Sequence, residues 1–209
     1  MSNGATDLRW NGRICWVRKQ VASGDSSLNT VVLLSGGMDS TACLEYYLEL
    51  GHHIRAIFVD YGHPANPIEY FHAQRIAQHY GLSLDRANFT GPKGLGPGEI
   101  QGRNAFFIFS ALLYYQHLKG LVALGIHAGT RYYDCSPSFF SQIGLIVASY
   151  TNGQVQVDAP FLQWDKQQIW AYCKEHGVAL DLTYSCEKGE AIPCGLCLSC
   201  RDRSRLGVC

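Results

Sequence analysis

Charge is scarce in this chain. Only 16% of its 209 residues are Asp, Glu, Lys or Arg, against about a quarter in an average soluble domain. The two signs cancel, 17 basic against 17 acidic. Without a positive surplus there is no long-range pull on a phosphodiester backbone, so direct nucleic-acid binding is not expected. A sparsely charged surface favours self-association, and a homodimer is expected. Long apolar runs are also missing: none approaches the roughly 20 residues of a membrane helix. Met1 to Asp7 carries no basic stretch leading into an apolar core, so no secretory leader is read there. The expectation is a cytoplasmic protein without a membrane partner. Nine cysteines, an odd number in a chain without an export signal, argue against a disulfide framework.

What is present starts with Val31-Val32-Leu33-Leu34, four apolar residues that read as a buried strand. Ser35-Gly36-Gly37-Met38-Asp39-Ser40 follows, and Thr41 to Leu50 reads as a helix. Glycines between a strand and a helix let backbone N–H groups turn onto an anion, and the helix N-terminus adds its partial positive charge. Ser35 and Ser40 supply hydroxyl donors. The segment reads as a phosphate cradle rather than an ordinary turn. It differs from the Walker loop because no Gly-Lys-Ser/Thr follows the glycines.

Around this loop the chain divides into three parts. Residues 1–29 form an extension, with Leu8-Arg9-Trp10 and Ile14 to Val17 flanking an Asn11-Gly12 hairpin signal, and a linker at Ser23 to Ser27. Residues 30–180 alternate strand and helix. Strands are predicted at Thr30–Leu34, Ile54–Asp60, Leu82–Phe89, Leu121–Gly125 and Val155–Val157. Helices are predicted at Asp39–Leu50, Ile68–Tyr80, Arg103–Leu118, Pro137–Ser149 and Lys166–His176, with a long loop from Thr90 to Gly102. Such alternation implies an α/β fold, a doubly wound and mostly parallel sheet whose ligands bind beyond the carboxyl ends of the strands. Ser35 to Ser40, Asp60 to His63 and Gly125 to Asp134 all fall there.

Residues 181–209 form a small lobe containing Cys186, Cys194, Cys197 and Cys200. Two successive Cys-x-x-Cys steps turn three thiolates onto one centre, and Cys186 supplies a fourth. Four sulfurs without histidine suit a closed structural Zn²⁺, with an iron–sulfur cluster as the alternative. Cys43, Cys135 and Cys173 read as buried thiols.

The loop resembles the PP-loop of ATP pyrophosphatases, and with the four cysteines it resembles the QueC family, the 7-cyano-7-deazaguanine synthases. Asp60-Tyr61-Gly62 with Glu69, Gly102-Arg103-Asn104, Tyr133-Asp134-Cys135 with Phe139, Asp165-Lys166, and Thr183 to Cys186 with Cys194 to Arg201 carry the likeness from Thr30 to Leu206. The resemblance implies activation of 7-carboxy-7-deazaguanine with ATP and Mg²⁺, and conversion of the adenylate with ammonia to the nitrile, as in queuosine biosynthesis. It implies catalytic roles for Ser35, Asp39, Ser40, Arg103 and Lys166. ATP would lie on Leu33, Leu34, Ser35 to Ser40, Phe58 and Val59. Substrate would meet Tyr61, Gly102, Arg103 and Asp134, and zinc would sit on Cys186, Cys194, Cys197 and Cys200.

The sequence departs from that family at several places. His63-Pro64-Ala65-Asn66-Pro67 replaces a Gln-Arg-His run, Leu198 an aspartate, and Tyr184 a tryptophan, and the N-terminal extension is additional. These departures open a second reading, a paralogue of antiphage defence that passes the acyl group to a protein amine. A tRNA-modifying PP-loop enzyme and a non-catalytic nucleotide-binding zinc module are the readings from other classes.

Overall fold

The structure is a computed structural model that describes residues 8–10, 13–15, 28–91, 95–96, 98–127 and 129–207. Strands β1 (Leu8–Trp10) and β2 (Arg13–Cys15) pair antiparallel, as the hairpin signal predicts. The Asn11-Gly12 turn and the Ser23–Ser27 linker lie outside the described residues.

The body is one five-stranded parallel sheet. Its elements follow in the order β3 (Asn29–Leu33), α1 (Met38–Glu49), β4 (His53–Asp60), α2 (Asn66–His79), β5 (Leu84–Asn88), α3 (Arg103–Tyr114), β6 (Gly120–Ala123), α4 (Pro137–Tyr150), β7 (Val155–Asp158) and α5 (Lys166–Glu175). The strand order is β5-β4-β3-β6-β7, and every neighbouring pair is parallel. Consecutive strands step outward from β3 to β5; the chain then crosses back to β6 on the other side of β3. That reversal opens a crevice between β3 and β6 at their carboxyl ends, the place where such sheets bind ligands.

The β-strand period of two explains the two cores. Val32, Leu34, Ala56, Phe58 and Ala123 face one side and pack on residues of α1, α2 and α5, among them Leu44, Tyr47, Ile76 and Ile169. Val31, Leu33, Ile57, Val59 and Val122 face the other and pack on α3 and α4 through Ile108, Ala111, Ile143 and Val147. Both faces of the central strands are covered, which is why they read as unbroken apolar runs.

Two elements differ from the sequence expectation. Helix α3 stops at Tyr114 instead of Leu118, because Tyr115 leaves the helical region and its hydroxyl donates to Asp85 Oδ2 on β5. A helix α6 (Leu198–Arg205) begins directly after Cys197 and carries Cys200. Its residues carry no apolar stripe to announce it; its start is set by the Cys197 sulfur, which accepts from the Cys200 amide. No helix among the described residues is long and apolar enough to cross a membrane.

Candidate active site

The phosphate loop is shaped by two close backbone approaches. Gly36 has φ +81°, and a Cβ there would lie 2.5 Å from the Glu69 carbonyl oxygen of α2, so only glycine fits. Gly125, just past β6, passes so close beneath the loop that a Cβ would sit 2.3 Å from the Asp39 carbonyl oxygen. Between them Ser40 organises the turn. Its hydroxyl accepts from the Ser35 amide at 3.2 Å, donates to the Gly37 carbonyl at 3.0 Å, and lies 3.0 Å from the Ser35 hydroxyl. Gly37 caps α1 with no side chain, which leaves first-turn amides open to an anion.

Asp39 and Lys166 meet here. The Lys166 ammonium lies 2.6 Å from each Asp39 carboxylate oxygen. Lys166 is the first residue of α5, set by a reciprocal capping box in which Asp165 and Gln168 bond each other's backbone. A cation at a helix N-terminus is normally unfavourable; the Asp39 carboxylate offsets this and aims the ammonium at the loop. His127 Nε2 stands 3.7 Å from Asp39 Oδ2. Burial draws its pKa below the ordinary value, with Asp39 opposing.

The loop opens into a cavity of about 300 Å³. Leu33, Leu34, Ser35, Gly37 to Ser40, Phe58, Val59, Tyr61, Arg103 and Lys166 all line it. Gly36 is not among the lining residues. Gly102 does not line the cavity either; it takes φ +75° ahead of α3 and turns Arg103 inward. Asp134 stands apart as well: it is buried, and its Oδ2 accepts from the Asn104 amide at 3.1 Å. The Asn104 side chain returns the contact to the Asp134 carbonyl at 3.0 Å. This pair ties the start of α3 to the segment before α4, and Asp134 is not among the residues that line the cavity. Nor does it cap the following helix, where Ser136 accepts from the Phe139 amide.

Asp60 is also structural. Its carboxylate accepts from the Gly62 amide, Asn66 and Arg86. Burial raises its pKa, but those three donors outweigh burial and hold it below the usual range. The divergent segment beyond it is packed rather than ligating. His63 is buried, its Nδ1 accepts from the Ala65 amide, and its ring stacks on Tyr61.

Sequence reading left the contribution of the C-terminal lobe to the cavity unseen. Tyr184, Ser185, Glu187 and Asp202 all reach it. Glu187 is held by Ser199, whose amide and hydroxyl donate to Oε1 at 3.2 and 2.9 Å. The only available signal was that Glu187 follows a metal-binding cysteine. Glu69, in the first turn of α2, faces the same region. Burial pushes its carboxyl up to about 7; Arg103 opposes the shift and Glu187 adds to it.

That shift has a consequence for stability. The folded protein holds the Glu69 proton more tightly than the unfolded chain, so the stabilisation is complete below pH 4.5, the ordinary glutamate value, and lost as pH rises through about 7. A displacement of this size is worth on the order of 3 kcal/mol. Thermal melts of ligand-free protein between about pH 5 and pH 8 should show this decline, and Glu69→Gln should flatten it. An identical slope in the variant would contradict the assignment.

The four cysteine sulfurs lie within 4.8 Å of one another. A zinc–thiolate tetrahedron with bonds of about 2.3 Å puts them about 3.8 Å apart, so a small contraction closes the site. The Leu196 and Cys197 amides approach the Cys194 sulfur at 3.5 and 3.4 Å and hold its thiol at about 6, which favours the thiolate a metal requires. Four protein ligands leave no position for water, so the fit is to a structural Zn²⁺. The lobe is tied to the loop by the Tyr184 amide, which donates to the Gly36 carbonyl at 2.9 Å. The Tyr184 ring stacks on His72 of α2.

Comparisons with known proteins agree with this geometry. A 4-thiouridine synthetase solved with RNA and bound ATP superposes with TM-score 0.53 at 18% identity, over 86% of this chain and 50% of that one. The U34-tRNA thiolase NcsA of Methanococcus maripaludis, solved with its [4Fe-4S] cluster, gives 0.51 at 16% identity, over 87% and 65%. The chain thus spans about half to two thirds of those proteins, and at such identities the likeness is one of fold. Among curated proteins, the 7-cyano-7-deazaguanine synthase of Prochlorococcus marinus is 30% identical over 83% of this chain and 91% of its own length. That of Gloeothece citriformis is 34% identical over 84% and 89%. The family model described as "Queuosine biosynthesis protein QueC" matches residues 29–96 and 97–206, and with the phosphate loop and four-cysteine lobe in place the chain belongs to the QueC family.

Proposed function

We propose that this protein uses ATP to activate 7-carboxy-7-deazaguanine as its adenylate and converts it with ammonia to 7-cyano-7-deazaguanine, a reaction of queuosine biosynthesis. The observation that carries the reading is the phosphate loop opening into a cavity with aromatic side chains, in a chain whose curated relatives bear that synthase's name.

A carboxylate does not exchange oxygen for nitrogen unaided, because oxide or hydroxide is a poor leaving group. One carboxylate oxygen attacks the α-phosphorus of ATP, and pyrophosphate leaves. Ammonia adds to the acyl carbon, AMP departs with that oxygen, and a proton is lost to give the amide. The amide oxygen attacks a second ATP, again releasing pyrophosphate; loss of AMP and the nitrogen-bound protons leaves the nitrile. Positioning and charge stabilisation are the protein's main tasks. Ser35, Gly36, Gly37 and Ser40 would cradle the leaving pyrophosphate. Leu33, Leu34, Phe58 and Val59 would face the adenine, and Tyr61 and Arg103 the deazaguanine. Mg²⁺ would travel on the phosphates rather than in a protein cage.

The test is mass spectrometry after incubation with ATP, Mg²⁺ and 7-carboxy-7-deazaguanine, with and without ammonia. Free nitrile is expected only with ammonia. A deazaguanine mass added to a protein amine would replace this reading with acyl transfer to protein. Absence of carboxylate-dependent pyrophosphate release would remove the enzyme reading altogether.

A further inference from the structure

Glu69 and Arg103 pose a question that the phosphate chemistry leaves open. Both line the cavity, from the first turns of α2 and α3. They attract one another but do not close to an ion pair among the described residues. The Glu69 carboxylate has no hydrogen-bond donor there. The Arg103 Nε is buried without a partner, and the guanidinium lies near enough to Tyr61 to favour its phenolate. A half-buried carboxylate without donors and a buried guanidinium nitrogen without an acceptor, lining one cavity, leave hydrogen-bonding capacity unused on both. Together they describe a missing ligand edge that donates to one and accepts from the other.

The surroundings limit what that ligand can be. Tyr61 packs edge-on against Phe107 with ring centroids 5.2 Å apart. Tyr132 and Tyr184 also reach the cavity. These rings suit a flat heteroaromatic ligand. The Arg103 charge disfavours a metal cation at Glu69. Adenine does not fit, because its 6-amino group would turn a donor toward the Arg103 guanidinium where an acceptor is needed. A 2-amino-6-oxo pyrimidine ring does fit: its amino group and N1–H are adjacent donors, and its 6-oxo group is the neighbouring acceptor.

We propose that Glu69 is the specificity-determining residue for the base, accepting hydrogen bonds from the ring N1–H and 2-amino group while Arg103 donates to the 6-oxo group. The inference rests on the function proposed above and names the residues that read its substrate. Glu69 thereby separates the deazaguanine from the adenine ring of ATP in one continuous cavity.

The experiment compares 7-carboxy-7-deazaguanine with the analogue lacking its 2-amino group, scored by carboxylate-dependent pyrophosphate release. In the wild-type protein, loss of the amino group should lower kcat/KM on the order of a hundredfold, because it removes one of the two donors that pair with the Glu69 carboxylate. Glu69→Gln should be slow with the parent base but should treat the two bases within about threefold of each other, with the KM for ATP unchanged. A folded variant too slow to assay is read by equilibrium binding of the same two bases, where equal affinities are expected. If Glu69→Gln discriminates as strongly as the wild type, the inference is overturned while the proposed function stands. If the wild-type protein releases no pyrophosphate with either base, the proposed function fails and this inference fails with it.

Discussion

Replacing Lys166 with methionine is expected to cut adenylate formation on the order of a thousandfold. The Lys166 ammonium sits 2.6 Å from both oxygens of Asp39, and Asp39 occupies the first turn of α1, where the triphosphate is expected to arrive. Without the lysine, that carboxylate confronts the phosphates unopposed. Two like charges about 5 Å apart at an effective dielectric near 20 repel by about 3 kcal/mol, a factor of roughly a hundred. Loss of the ammonium itself, which would stabilise charge developing on the leaving pyrophosphate, accounts for the rest. Asp39→Asn/Lys166→Met should be less impaired than the sum of the single effects, because the double variant removes the repulsion along with the attraction. Pyrophosphate release by all four proteins supplies the cycle. A Lys166→Met protein within threefold of wild type, or strictly additive losses, would show that the pair plays no part in the chemistry.

Loss of the metal should rank second. The lobe's own apolar cluster is small: Tyr184, Cys186 and Cys200, with Ile68, Cys194 and Cys197 against them. Such a cluster cannot stabilise a fold alone, and metal binding would supply the missing free energy. Cys200 is a telling ligand because, like Cys186, it is buried in that cluster. Cys200→Ser should abolish stoichiometric zinc by elemental analysis and lower the melting temperature on the order of 10 °C. ATP affinity should fall too, since the Tyr184 contact to Gly36 goes with the lobe. An unchanged melting temperature in metal-free Cys200→Ser would refute a structural role for the metal.

The parts of the site that sequence revealed are those written locally. Ser35 to Ser40 is a strand–loop–helix junction whose glycines answer to the backbone itself: Gly36 at positive φ, Gly37 at the helix start. Cys194, Cys197 and Cys200 announce themselves by spacing, and the alternating apolar faces of β3 and β4 by period. What stayed hidden is tertiary. Asp39 and Lys166 are separated by 127 positions, and nothing near either names the other. Asp134 looked available to a ligand because its commitment to Asn104, on a different element, cannot be seen along the chain. Helix α6 escaped because its boundary is drawn by a cysteine sulfur rather than by a familiar capping residue.

The hydrogen bond from Tyr184 to Gly36 also orders events in time. The loop is among the first parts of the α/β domain to leave the ribosome, and its clasp is among the last. A nascent chain therefore carries an unclasped loop until the segment around Tyr184 has emerged, so the phosphate loop is completed only after every strand of the parallel sheet has been made.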